Sequence, residues 1–307
     1  MRRVALAVIV TVTFGATALA QRTSDGHPDL QGFWTNGTAT PFQRPADFAN
    51  KPLFTPAEAA EYERTALERL ISVFPEADRT AADLNDTYLE TSTLKVSGLR
   101  TSLIVDPASG ALPALLPAAQ ARAAARPRRN YDDPETLNLD ERCLMDSAFG
   151  SSNAAPPMVP NPFGQNFYQF VQTRSHVMIF TELVHDARII RMNAAHLPST
   201  IQLWLGDSIG RWEGETLVVD TTNFTSKTHF RGSGERLHVV ERFTRSAPDR
   251  IDYRVTVDDP DTWAVSWTAD IPFRPTTEKM FEYACHEGNL AIENFMRGAR
   301  AEEKGNK

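Results

Sequence analysis

The second half of the chain constrains the fold most, because it alternates apolar and polar residues with little interruption. Ile251, Tyr253, Val255 and Val257 alternate with Asp252, Arg254, Thr256 and Asp258. Trp263, Val265, Trp267, Ala269 and Ile271 then alternate with Ala264, Ser266, Thr268 and Asp270. A period of two residues means strands with one face buried. Further strands are predicted over 168–173, 176–183, 187–193, 208–213, 216–224 and 237–244, with a last one over 279–285. Gly214-Glu215 marks a hairpin turn, and Ser246-Ala247-Pro248-Asp249 marks another. Eight or nine consecutive strands with short connections predict a mainly β fold: an antiparallel up-and-down barrel or a strongly curved sheet. A barrel of about eight strands encloses either packed side chains or one small ligand.

Residues 21–165 differ, being rich in Pro, Ala and Asp with few strand patterns. They are expected to form a helical and irregular region wrapping a barrel of 166–307, the two making one compact unit. Thr55-Pro56-Ala57-Glu58 has the form of a helix start. Thr55 can cap, Pro56 suits the first turn and Glu58 can close a capping box. Ala59, Tyr62, Ala66, Leu70 and Phe74 then follow at helical spacing until Pro75. A strand over 102–105, a turn at Asp106-Pro107-Ala108-Ser109-Gly110 and a helix over 117–126 follow. Residues 127–162 are expected to be mostly irregular, with Asn153 to Pro162 an extended surface loop.

The chain begins with Met1-Arg2-Arg3, an apolar run from Val4 to Phe14, and small residues ending in Ala18-Leu19-Ala20. That is the pattern of a secretory signal peptide cut after Ala20. The run is short of the roughly 20 residues that cross a bilayer, and no later segment reads as a span. A periplasmic or secreted location follows. In an oxidising compartment the two cysteines, Cys143 and Cys285, read as a disulfide rather than a metal or redox pair; two buried thiols are the alternative. The net charge is -7, from 32 Lys and Arg against 39 Asp and Glu. An acidic chain lacks the field that non-specific nucleic-acid binding needs. No Gly-x-Gly-x-x-Gly or Walker pattern occurs, so no nucleotide cofactor is expected. The seven His residues are scattered, without H-x-H or H-E-x-x-H spacing, so no metal site is expected. No Gly-x-Ser-x-Gly elbow points to a Ser hydrolase.

The stretch Gly206-Asp207-Ser208-Ile209-Gly210-Arg211-Trp212-Glu213-Gly214-Glu215-Thr216-Leu217-Val218-Val219-Asp220-Thr221 resembles the signature of a large family of secreted bacterial proteins, many without an assigned function. Val184-His185-Asp186-Ala187-Arg188-Ile189-Ile190, Val240-Glu241-Arg242 and Asp259-Pro260 are similar to flanking pieces of that family, so the likeness covers about 29–290. It implies secretion and no catalytic assignment. Leu30-Gln31-Gly32-Phe33-Trp34 is also similar to the first strand of lipocalin-type (calycin) barrels.

Polar residues on apolar strand faces are the candidates for chemistry, because a buried carboxylate either shifts its pKa or demands a partner. Glu241 shares a face with Leu237, Val239 and Phe243. It is either an acid or base inside the barrel or one half of a structural ion pair with an Arg of the neighbouring strand. In the first case Glu241→Gln abolishes activity and leaves folding intact; in the second it unfolds the chain. His176 and Glu182 flank Met178 and Phe180 on one face of their strand, although the opposite face is equally apolar. His185 lies at a turn beside Asp186, His196 lies in a loop, and His286 follows Cys285. Asp220 is expected to face solvent. Trp212, Phe180, Tyr253, Trp267 and Asn223 are candidate ligand contacts. The chemistry expected is a cofactor-independent lyase, isomerase or hydrolase step on a small hydrophobic or aromatic molecule. A lipocalin-like carrier and a solid structural barrel are the alternatives.

Overall fold

The computed structural model describes residues 21–71, 95–125, 131, 133–145, 154–161, 166–227 and 230–305. The signal-peptide segment and the helix stop at Pro75 lie outside them. The strands are β1 (Gly32–Thr35), β2 (Ile104–Asp106), β3 (Phe167–Gln172), β4 (His176–Thr181), β5 (Ala187–Met192), β6 (Asp207–Glu213), β7 (Thr216–Thr222), β8 (His238–Ala247), β9 (Arg250–Asp258) and β10 (Trp267–Pro275). The helices are α1 (Pro56–Arg64), α2 (Ala66–Ile71), α3 (Pro117–Ala124) and α4 (Ala291–Gly305). Among the described residues no helix is long and apolar enough to cross a membrane.

The sheet runs β1-β3-β4-β5-β6-β7-β8-β9-β10, and a second pairing of β1 with β10 closes it into a nine-stranded barrel. Closure rests on Trp34 opposite Pro275 and Thr35 opposite Arg274. The Gly-Phe-Trp segment of the N-terminal region is therefore the closing stave. β2 pairs alongside β10 outside the ring. Eight seams of the ring are antiparallel. The exception is β5–β6, which is parallel and only two rungs long, Arg191 with Ile209 and Met192 with Gly210. A parallel pair needs a crossover, and the segment 193–206 supplies it. Gly210 makes this seam possible, since a Cβ there would lie 2.8 Å from Ile190 Cγ2 and Met192 Sδ. Gly206, at φ +71°, turns the crossover into β6 where a Cβ would meet Thr221 and Phe224.

Aromatic residues fill the lumen. Tyr168, Phe170, Phe243, Tyr253, Phe273 and Trp267 are all buried. Tyr253 stacks on Phe243 with centroids 4.8 Å apart and meets Phe273 edge-on at 5.6 Å. Such pairs contribute about 0.5–1.5 kcal/mol each beyond their buried area.

Three expectations are corrected. The strand expected over 263–271 forms at Trp267–Pro275, because Trp263 is held in a bridge to Leu115 outside the sheet. Residues 279–285 form no strand, and Phe281 is exposed; β1 already occupies the edge of β10. Within the expected surface loop, Ala154, Ala155, Met158 and Val159 are buried. Prolines lack an N–H, so a strap rich in them can be buried with few donors to satisfy. Here the Met158 N–H donates to Tyr253 Oη, and the Met158 carbonyl accepts from Asn36 Nδ2. The α1 capping box and the Cys143–Cys285 disulfide form as expected.

Candidate functional site

Two polar constellations lie on opposite sides of the barrel wall. Glu241 points into the lumen. Arg188 of β5 meets it from across the barrel rather than from a neighbouring strand. Arg188 Nη1 donates to Glu241 Oε2 at 2.7 Å and Nη2 donates to Oε1 at 3.0 Å. Tyr253 Oη adds a third donor to Oε1 at 3.0 Å. Both charged side chains are essentially unexposed. Burial, then the Glu241 charge, pushes the Tyr253 hydroxyl well above the ordinary range. A bidentate pair with a third donor leaves this carboxylate no open face for a substrate. Its geometry is that of a structural pair.

The second constellation lies on the outer face. Along β6 and β7 the residues 207, 209 and 211, and 218, 220 and 222, point away from the lumen, and register sets Asp220 opposite Ile209 and Asp207 opposite Thr222. The two carboxylates are thus diagonal neighbours on one face. His196, carried by the crossover, sits between them. Its Nδ1 is 2.9 Å from Asp207 Oδ2 and its Nε2 is 3.0 Å from Asp220 Oδ1. His238, at the start of β8, places its own Nε2 3.0 Å from the same Asp220 Oδ1. Asp207 is anchored further by the Leu197 N–H at 2.8 Å and by Arg191 Nη2 at 2.8 Å. Asn223 braces the crossover by donating to the Leu197 carbonyl at 3.0 Å. His196 makes both its contacts as hydrogen bonds only when both ring nitrogens carry a proton.

The electrostatics agree with this geometry. The hydrogen bond from His238 holds the Asp220 carboxyl below its ordinary value, against burial and with help from His196. Burial pushes Asp207 up, but the Leu197 N–H, His196 and Arg191 more than offset it, so it too lies low. The hydrogen bond to Asp220 raises His238, opposed by burial and supported by the charges of Asp220 and Asp258. Asp207 is almost fully buried, whereas His196, Asp220 and His238 keep 27%, 26% and 41% of their side chains exposed. The network therefore has a buried anchor and an accessible end. Ile201, Leu203 and Trp204, on the crossover that carries His196, are exposed apolar residues. Among the described residues no group of three or more His, Cys, Asp or Glu is arranged to hold a metal ion.

The other expected residues are dispersed. β4 turns Val177, Ile179 and Thr181 inward, so His176 and Phe180 lie on its outer row, and the His176 ring places Nδ1 2.9 Å from the Ser175 hydroxyl. Glu182 and His185 both hold the segment after β10: Glu182 accepts from the Phe281 N–H at 3.0 Å, and His185 Nδ1 lies 3.0 Å from the Tyr283 carbonyl. His286 is exposed on that same segment. Beside them Asp186 is pushed by burial to about 6, against the pull of His185. Trp212 stacks on His27 at 4.7 Å, and Trp267 and Tyr253 are core. Sequence reasoning singled out neither His238 nor Arg191, and took Asp207 only as part of the long Gly206–Thr221 stretch. The usable signal was outward parity: Asp207 and Asp220 flank the β6–β7 hairpin on its polar rows. Comparison with protein-family models, with curated proteins and with solved structures yields no match.

Proposed function

We propose that this chain is an exported, cofactor-independent acid-base enzyme of lyase, isomerase or hydrolase type, acting on a small apolar or aromatic molecule at the outer His196–Asp220–His238 site. The observation that carries the reading is that one carboxylate oxygen, Asp220 Oδ1, takes the Nε2 atoms of both imidazoles at 3.0 Å. A carboxylate that fixes a ring through one nitrogen sets the tautomer and aims the other nitrogen outward. In this reading His238 exchanges the proton with the substrate through Nδ1, and Asp220 positions it. His196, locked by Asp207, holds Asp220 in place. Raising the His238 pKa keeps an acid form available near neutral pH, where proton transfer is most effective. Ile201, Leu203 and Trp204 supply an apolar surface on the same crossover. The disulfide fits an oxidising compartment.

The test is a panel of aromatic esters, epoxides and unsaturated ketones offered to the purified protein. Turnover is expected on at least one class, with His238→Gln slowing it about 10²–10⁴-fold while the circular dichroism spectrum is unchanged. Turnover that survives His238→Gln overturns the assignment. Binding of the same compounds without turnover replaces it with the carrier reading.

A further inference from the structure

A groove of about 430 Å³ lies on the outer face of β8, β9 and β10, against the turn 97–100. Its volume is in the range of small-molecule sites. Arg100, Arg242, Arg250 and Arg254 line it, against Asp252 and Asp270. The strand register puts Arg242 directly opposite Arg254. Like charges facing each other across a ladder destabilise a sheet.

The nearby carboxylates are outnumbered. Asp270 accepts from Arg254 at 2.6 and 2.9 Å and also from Arg100 at 3.2 Å. Glu213, just outside the groove, is shared by Arg242 at 2.7 Å and Arg211 at 2.9 Å. Asp252 serves Arg250. Five guanidiniums thus share three carboxylates on one face of a chain whose net charge is -7. Arg274, half-buried, adds its charge close to Arg250 and is lowered by burial and by that neighbour, against the pull of Glu63. Each guanidinium has five N–H donors in a fixed fork, and the ion pairs use only one or two per Arg. The carboxylates hold the forks in place, and Arg100, Arg242, Arg250 and Arg254 line the groove with donors these pairs do not use.

We propose that this groove binds a small molecule through an oxyanion, a phosphate or a carboxylate, clamped between Arg242 and Arg254. Planar bidentate recognition of such groups is what Arg provides and Lys does not. A bound oxyanion offsets the repulsion between Arg242 and Arg254. The site is separate from the His196–Asp220–His238 network and does not depend on the function proposed for it.

Isothermal titration of the whole protein at low salt, with inorganic pyrophosphate in one arm and citrate in the other, tests the proposal and distinguishes the two oxyanions. Saturable binding of at least one is expected, weakened about tenfold or more by Arg242→Gln and by Arg254→Gln. Each variant should keep the parent's circular dichroism spectrum, because the ion pairs lost, Arg242 with Glu213 and Arg254 with Asp270, are partly exposed and contribute about 0–1 kcal/mol each. Absence of saturable binding in both arms overturns the proposal. So does binding that neither variant weakens.

Discussion

Replacing Glu241 separates a structural pair from a catalytic group, and the outcome can be worked from the geometry. Glu241 and Arg188 have 0% and 1% of their side chains exposed and share two hydrogen bonds at 2.7 and 3.0 Å. Glu241→Gln keeps the shape but leaves the Arg188 guanidinium charged in an aromatic lumen with no counter-charge. Removing one partner of a buried pair destabilises by about 3–5 kcal/mol. For a chain of this size that is a fall in melting temperature of roughly 6–20 °C, at about 2–4 °C per kcal/mol. Arg188→Met alone should cost a similar amount, since it strands the carboxylate. The double variant Arg188→Met, Glu241→Leu removes both charges and should recover most of the loss, because well-packed apolar replacements of buried pairs are often neutral or stabilising. Urea unfolding of the parent, Arg188→Met, Glu241→Leu and the double variant closes a double-mutant cycle and gives the coupling. Single variants within about 1 kcal/mol of the parent, or a double variant whose loss is the sum of the two, would refute the assignment of Glu241 to the framework.

Two further outcomes follow from other places in the barrel. Because Asp220 raises His238 above its ordinary 6.5, their pairing favours the protonated ring. Its stabilisation is fully present below about pH 6.5 and is lost as pH rises through the folded-state value. Unfolding measured from pH 5 to 9 should show this decline in the parent, and His238→Gln should flatten it; an unchanged profile in the variant sinks the linkage. Gly210→Ala sets a Cβ 2.8 Å from Ile190 and Met192 at the two-rung parallel seam. It should destabilise by about 1–3 kcal/mol as an overpacked site, with hydrogen exchange accelerating first at Arg191 and Met192; an unaffected seam would show that the strands there have room to give.

Alternation was enough to locate β8 and β9, because Ile251 to Val257 have apolar residues on one parity only and a single face can be buried. It was not enough for β4, where Met178 and Phe180 match Val177 and Ile179 in apolarity; only the pairing of β4 with β3 and β5 decides which row is inside. β10 was set too early because Trp263 and Val265 continue the apolar parity, although Val265 is exposed. The barrel's closure was hidden because its closing strand is four residues long and lies far from the others in sequence. The His196–Asp207–Asp220–His238 network was legible only in fragments. Asp220 was expected to face solvent; it lies on the outer face but is partly buried and bonded to His196 and His238. The meeting of His196, Asp207 and His238 depends on where a crossover lands, which no local pattern encodes.

That crossover connects the fold to the chemistry. Eight seams of the ring can be made by strands lying side by side, but the parallel β5–β6 seam forces the chain to leave the wall and return. The returning segment covers the outer face of β6, which is why Asp207 is buried although it points away from the lumen. A carboxylate so covered must be hydrogen-bonded, and the covering segment itself supplies the Leu197 N–H and the His196 ring, with Arg191 closing the set from β5. Anchoring Asp207 therefore fixes His196, and His196 in turn fixes Asp220 beside His238. The aromatic side chains and the Arg188–Glu241 pair fill the lumen, so the ionisable groups that keep access to solvent lie on the outside. A positioned, partly exposed imidazole on the outer wall is thus a consequence of one strand pairing in the opposite sense to the other eight seams.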